Sequence, residues 1–320
     1  MRIAVLYDDV ASRPEATPDE RGVLEAVEAV QLALRDLGHA PVRVPVTPAL
    51  DAWTARLAEA DIDLVFNLCE GAGGSSANEA RVAAALELLG LPTTGSPSET
   101  LALARRKDRV NAILAAADVP VPTWLPLEPG ERPTGWSRFP AIVKPSAEDA
   151  SIGITPRSVV RDPAELVDAV AAAPGGGPIL VQEFLDGREL IVGIVGETVL
   201  PVAEIDFAAL PDDAWPIVTY DAKWAAGSPD DIGTAPRCPA PLDEATRREA
   251  VRLALDAWRL VGGRGYGRVD LRADRGGRLH VLDVNPNPDL SPAAGLSRMA
   301  AANGWGYADL VGRIVREAVR

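Results

Sequence analysis

The sequence predicts an α/β fold that opens on a parallel sheet and continues into mixed α+β lobes. Three observations predict it. Strand-like and helix-like stretches alternate across residues 2–90, the pattern of βαβ units. Residues 98–261 then mix short strands, Pro- and Gly-rich turns and three amphipathic helices. Finally, Gly267 to Asn287 reads as one hairpin whose polar residues fall on alternate positions.

The elements follow in order. Arg2 to Tyr7 is an apolar run short enough for a buried strand. Glu20 to Leu37 has helical periodicity and stops at Gly38. Pro41–Val46 reads as a strand, Ala49–Ala60 as a helix and Asp63–Leu68 as a third strand. Asn78–Leu89 is a helix closed by Gly90, and one long helix is expected over Ser98–Ala117. After prolines at 120, 122, 126, 129 and 133 come a strand, Ala141–Lys144, and a small-residue loop, Pro145–Gly153. Pro163–Ala173 is helical, Gly175-Gly176-Gly177-Pro178 a loop, and Ile179–Phe184 a strand. Leu190–Val195 and Val199–Ile205 form a hairpin around Gly196, and the polar stretch 211–233 reads as loop. Helices at Leu242–Val261 and Tyr307–Val319 flank the final hairpin. No internal repeat is visible.

Composition narrows the function. The chain has 320 residues, enough for two or three packed units. Lys and Arg number 32 against 46 Asp and Glu, a net charge of −14, which argues against binding nucleic acid or an anionic membrane. A polyanionic ligand would need a locally basic or metal-filled site. Cys69 and Cys238 are too few for a disulfide framework, so a reducing cytoplasm is expected. No long apolar run is present, and MRIAVLYDDV reads as a strand rather than a leader.

The hairpin carries the first chemical signal. A two-residue Gly276-Gly277 loop places Asp270 opposite Asp283 and Arg268 opposite Asn285, all on one face. Opposed carboxylates repel unless a cation lies between them. Two Asp and an Asn oxygen suit Mg²⁺, a hard cation that keeps waters and substrate phosphates as its other ligands. A three-residue loop would flip the parity, and a solvated face of ordinary charge is the plainer alternative. His280 is expected on the face opposite Asp283. Arg268, beside the carboxylates, could stabilise a developing oxyanion.

Other segments add weaker signals. Lys144 ends a strand before a loop of Ser146, Ala147, Ala150, Ser151 and Gly153, whose N–H groups could approach phosphate. Gln182, Glu183, Phe184 and Leu185 run along a strand edge that could meet a purine, with Glu189 placed for ribose hydroxyls. Lys223 sits between Tyr220 and Trp224 in a segment that could close as a lid. Each of these also reads as ordinary surface or turn. With only His39 and His280, a Cys–His nucleophile or a His-rich zinc site is improbable, and Ser151 lacks a G-x-S-x-G setting.

Taken together and in order, these segments resemble the D-alanine–D-alanine ligase branch of the ATP-grasp superfamily over nearly the whole chain. The matching stretches are Phe66–Gly71, Thr94-Gly95-Ser96, Lys107, Ile142–Ser146 through Ser151-Ile152-Gly153, Gln182–Leu185 with Gly187-Arg188-Glu189, Tyr220–Lys223, Gly267–Asp270 and Asp283–Pro286. The resemblance implies an N-terminal substrate unit at 1–97, a central ATP-grasp lobe at 98–185 and a C-terminal lobe at 186–320 that carries the catalytic floor. It implies ATP held by Lys107, Lys144, Ser151 and Lys223, with the base against Gln182, Glu183, Phe184 and Leu185 and the ribose on Glu189. Asp270, Asp283 and Asn285 would hold one or two Mg²⁺, or Mn²⁺. Arg268, Lys223 and Ser151 would act on the reacting groups. An acyl phosphate would form, and an amine would displace the phosphate, joining amino acids or small peptides. A homodimer is implied as well. An ATP-binding module or carboxylate kinase that stops before ligation is the competing class.

Several positions depart from the family pattern. Glu20 is the candidate for the glutamate that holds the first substrate's ammonium, and Glu70 stands where the family has histidine. Glu148-Asp149-Ala150-Ser151 replaces its glycine-serine loop, and Trp224 its lid tyrosine. Asp289 falls where a glycine precedes the second substrate's carboxylate contacts, so D-alanine as amine donor is not expected. Glu70, Tyr220 and Asp289 join Glu20 as candidate substrate contacts.

Overall fold

The computed structural model describes residues 1–173 and 177–319; the expected loop residues Gly175 and Gly176 lie outside them. The first unit alternates β1 (Arg2–Asp8), α1 (Pro18–Asp36), β2 (Ala40–Val46), α2 (Leu50–Glu59), β3 (Leu64–Asn67) and α3 (Glu79–Leu88). Its strands are parallel in the order β2-β1-β3. Both faces are covered, as a run such as Ile3-Ala4-Val5-Leu6 requires. Ile3 and Val5 meet Val27, Val30 and Leu34 of α1, while Ala4 and Leu6 meet Trp53, Leu57 and Val82. The strands therefore deliver Asp8 and Asn67 to one edge.

The single helix expected at Ser98–Ala117 is two: α4 (Ser98–Ala104) and α5 (Lys107–Ala116). The break lies at Arg106, which leaves helical geometry. Lys107 then starts α5 with its N–H donating to the Ser146 carbonyl, 3.0 Å away, so a tertiary contact takes over what the helix would supply. Periodicity alone does not see that exchange.

An antiparallel sheet follows, ordered β4-β7-β5-β6, from β4 (Trp124–Leu127), β5 (Ala141–Pro145), β6 (Val159–Val160) and β7 (Ile179–Glu183). Helix α6 (Pro163–Ala172) covers one face, burying Leu166 against Ala141, Val143 and Val181. Strand alternation turns Ile142, Lys144 and Gln182 to the other face.

The largest sheet is ordered β11-β10-β8-β12-β13, with β9 paired to β8. Its strands are β8 (Glu189–Val195), β9 (Thr198–Val199), β10 (Ala203–Asp206), β11 (Ala235–Arg237), β12 (Tyr266–Ala273) and β13 (Leu279–Asn285). The strand expected at Val199–Ile205 is thus split at Leu200-Pro201-Val202. The polar stretch 211–233 is not all loop: it contains α7 (Tyr220–Trp224) and α8 (Pro229–Ile232). Helix α9 (Glu244–Leu260) packs on one face with Val110 and Leu114 of α5. On the other lie α10 (Gly295–Ala302), which periodicity did not suggest, and α11 (Tyr307–Ala318), whose core is shared with α1 and β1.

The β12–β13 hairpin corrects the sequence reading in an instructive way. Its turn is not the two-residue Gly276-Gly277 loop. Asp274 N–H bonds to the Arg278 carbonyl at 2.9 Å, leaving three residues between them, with Gly277 at φ 82°. That parity would have turned the site residues away from each other. A bulge at Leu282 restores it, so Asp270 still faces Asp283 and Arg268 still faces Asn285. The longer turn pairs His280 with Arg272, so once the bulge has restored Asp283 to this face His280 shares it, the face from which the sequence reading excluded it.

Candidate active site

A cavity of about 1190 Å³ lies between the two antiparallel sheets and the carboxyl edge of the parallel one. Every candidate residue except Tyr220 lines it. Its floor is the β12–β13 face. Arg268 grips Asp270 through two parallel bonds, Nε–Oδ1 at 2.8 Å and Nη2–Oδ2 at 2.9 Å. Asp283, across the ladder, accepts from Lys107 Nζ at 3.3 Å, and Lys107 also reaches Asp149 Oδ1 at 2.5 Å. Burial pushes Asp283 above the usual carboxylate range despite Lys107, with Asp149 and Asp270 adding to the push. Burial alone would depress Lys107, but the two carboxylates outweigh it and raise its pKa. The Asn285 amide oxygen accepts from Asn287 N–H at 2.9 Å, which fixes its orientation. Two carboxylates and one amide oxygen on adjacent strands, their negative charge shared by two cations, form a hard-oxygen donor set.

The nucleotide-sized end has Lys144, Gln182, Phe184, Leu185 and Glu189 around it. Burial lowers Lys144 to about 8, and it forms no ion pair among the described residues. Gln182 is 1% exposed, and its Nε2 has no partner among the described residues. Glu183 points its carboxylate to Arg138 on the sheet's other face, at 3.6 Å, so only its backbone can address a base. The Leu185 N–H forms no hydrogen bond among the described residues and is free to donate. Arg272, unremarked in the sequence, holds Glu189 at 2.6 Å and lies 5.3 Å from the Phe184 ring centre. Burial raises Glu189 in spite of that guanidinium.

The loop after β5 turns through two successive left-handed residues that are not glycine, Ala150 at φ 53° and Ser151 at φ 60°. Such backbone costs about 1–3 kcal/mol per residue and persists only where surroundings impose it. Helix α7 imposes part of it: Trp224 donates its indole N–H to the Ala150 carbonyl at 3.2 Å. The contact uses backbone, so Ala150 needs no hydroxyl. Tyr220 lies off the cavity and donates to Asp19 Oδ1 of α1 at 2.6 Å, with its pKa pushed up to about 12 by burial and by Asp19. Tyr220 thus ties α7 to α1, and Lys223 from the same helix lines the cavity. Lys223 is reachable by cavity water yet ringed by protein; that enclosure, and Arg268 nearby, lower its pKa.

At the far end, Glu20 is already engaged. It accepts from Thr17 N–H at 2.8 Å and from Arg13 at 2.9 Å, and Arg13 also pairs with Asp8 at 2.9 Å. Glu70 opens onto the cavity and is pushed up to about 8 by surrounding protein, then by Asp289, Asp149 and Asp19. Asp289 accepts from Ser291 N–H and Oγ at 2.7 and 2.8 Å. Arg13, Asp149 and Arg272 escaped the sequence reading as individual residues. Only Asp149 left a signal there, as the acid in a loop read as phosphate-binding.

Comparisons with known proteins give the family. Residues 113–316 match the family model described as D-ala D-ala ligase C-terminus. A D-alanine–D-alanine ligase of Gluconobacter oxydans is 33% identical, covering 100% of this chain and 99% of its own. One from Synechococcus is 31% identical over 92% of this chain and 88% of its own. The structure of the Bacillus anthracis D-alanine–D-alanine ligase complexed with ATP superposes with a TM-score of 0.81 at 20% identity, covering 100% of this chain and 98% of that one. The chain belongs to the D-alanine–D-alanine ligase family, has the ATP-grasp fold, and is an ATP-dependent ligase that joins a carboxylate to an amine.

Proposed function

We propose that this cavity joins the carboxylate of an amino acid or small peptide to the amine of a second one through an acyl phosphate. The observation that carries the reading is the polar face at the cavity floor, where Arg268 and Asp270 stand beside Asp283, Lys107 and Asn285. A carboxylate oxygen attacks the γ-phosphorus, the bond to the β–γ bridging oxygen breaks, and ADP leaves. The neutral amine then attacks the acyl carbon, phosphate departs, and the amine proton passes to solvent or phosphate. Arg268 sits where the carbonyl oxygen gains charge, and such a donor is worth about 10²–10³ in rate. Lys144, Lys107 and Lys223 take the phosphates, and Ser151 presents its N–H and hydroxyl to them. The base lies between Ile142 and Phe184, with the Leu185 N–H toward its edge and the ribose on Glu189. Asp270, Asp283 and Asn285 would hold Mg²⁺, which supplies charge neutralisation on the transferring phosphoryl. The lid keeps water from the acyl phosphate.

The relatives are named for joining D-alanine. Here the Asp289 carboxylate lies at the amine end, where it repels a second carboxylate and favours an amine donor whose own carboxylate is absent, blocked or distant. Arg13 neutralises Glu20, so the first substrate's amine is not held by that carboxylate alone. We further propose the unit boundaries 1–97, 98–185 and 186–320, a homodimer built through the first unit, and a cytoplasmic location. Among the described residues no helix is long and apolar enough to cross a membrane.

The test is ADP release with ATP-Mg²⁺ and pools of D- and L-amino acids, dipeptides and amines, read with product mass. Stimulated ADP release with a condensation product of summed mass less water is expected. ATP binding with no stimulation by any carboxylate–amine pair would refute the reading.

A further inference from the structure

Lys107 is among the most enclosed cations of the molecule, 7% exposed at its side chain, and its ammonium is spoken for by two carboxylates. One belongs to the floor. The other, Asp149, belongs to the small-residue loop itself, four residues past Pro145, and is 47% exposed. That loop faces the phosphate end of the cavity, so an acid there is unexpected: it repels the ligand the loop would cradle. Its position explains it. Asp149 Oδ1 lies 2.5 Å from Lys107 Nζ, and the pull of Lys107 holds its pKa below the usual range against the effect of burial. Lys144, by contrast, carries no internal counter-ion among the described residues. The two lysines of the phosphate end are therefore in different states, one open and one capped.

We infer that Asp149 is an internal anion that occupies Lys107 in the nucleotide-free protein and must yield when phosphate arrives. The inference rests on the reading of this cavity as the ATP site. The exchange breaks no covalent bond: one carboxylate leaves the ammonium and one phosphate oxygen replaces it. The loop is suited to such a move. It is held in left-handed geometry at Ala150 and Ser151, and Trp224 ties its carbonyl to the lid, so release of Asp149 and seating of the lid act on the same few residues. Glu148, beside it, is engaged elsewhere, accepting from Ser76 Oγ at 2.9 Å and lying 3.5 Å from Arg105. It does not compete for Lys107.

The test is calorimetric binding of ADP with Mg²⁺ to the full chain and to Asp149→Asn, Lys107→Met and the double variant, with circular dichroism of each. Asp149→Ser repeats the measurement with a side chain too short to reach Lys107. Removing the cap should tighten ADP about fivefold, the size of a half-exposed ion pair, and Lys107→Met should weaken it. In the Lys107→Met background, Asp149→Asn should change Kd less than twofold. Unchanged or weaker binding by both Asp149 variants would overturn the inference. Equal tightening with and without Lys107 would overturn it too, because Asp149 would then be a general repulsive charge. Wild-type protein that binds no nucleotide, indistinguishable from Lys107→Met, would sink the ATP-site reading and this inference together.

Discussion

Lys144 offers a pH-dependent test of the phosphate end. Burial holds its ammonium down to about 8 from an ordinary 10.5. It is therefore about 90% charged at pH 7 and about 10% charged at pH 9 in the free protein. Phosphate oxygens restore the charge, so nucleotide binding above pH 8 must draw a proton from solution. The affinity for ATP-Mg²⁺ should thus fall about ninefold from pH 7 to pH 9, with the inflection near 8. The same cavity holds Glu70, also near 8, and its ionisation adds negative charge in the same range. Two variants separate them. Lys144→Arg keeps its charge throughout and should flatten most of the profile. Glu70→Gln should leave the inflection in place. Equilibrium ADP binding from pH 6.5 to 9.5, in buffers of differing ionisation enthalpy, reads both the affinity and the proton taken up. A flat profile for the wild type, or an inflection of undiminished size in Lys144→Arg, would refute the assignment.

Other perturbations test other parts. Asp270→Asn leaves Arg268 without its bidentate partner and should cut turnover at least about a hundredfold with Tm unchanged; undiminished ADP release would exclude Asp270 from the floor chemistry. Trp224→Phe removes the indole donor to the Ala150 carbonyl, a contact worth about 1 kcal/mol. It should raise ADP release uncoupled from amide formation about fivefold, whereas Ala150→Ser should alter turnover less than twofold; the ratio of ADP to amide product checks both. Gly267→Ala would set a methyl carbon 2.3 Å from the Trp258 ring and 3.0 Å from the Asn285 carbonyl. It should cost roughly 1–3 kcal/mol and lower Tm by about 1–5 °C, and an unchanged melting curve would contradict that packing.

Much of the architecture was legible because it rests on local signals. The alternation of apolar runs and amphipathic stretches from Arg2 to Leu89 needs only neighbouring residues to be read. The break between α4 and α5 does not: it depends on the Ser146 carbonyl, which is 39 residues away from Lys107 in the chain. The hairpin shows how a right pairing can follow from a wrong turn. The loop is one residue longer than the glycines suggest, and the bulge at Leu282 compensates, so the opposition of Asp270 and Asp283 holds for two cancelling reasons. Bulges leave no mark in a period-2 pattern. The partners of the site residues were the least legible. Arg13 against Glu20, Arg272 against Glu189 and Asp149 against Lys107 are charge pairs set by tertiary placement, and any of those residues alone reads as ordinary surface charge.

The claim at the centre of this account is that a substrate carboxylate is phosphorylated before the amide forms. It is tested most directly by turnover of whichever carboxylate substrate the screen returns, labelled with ¹⁸O in its carboxylate, followed by mass analysis of the released phosphate. An acyl phosphate requires one ¹⁸O to leave with each phosphate and one to remain in the amide. Phosphate that carries none, with oxygen drawn instead from water, would contradict the account.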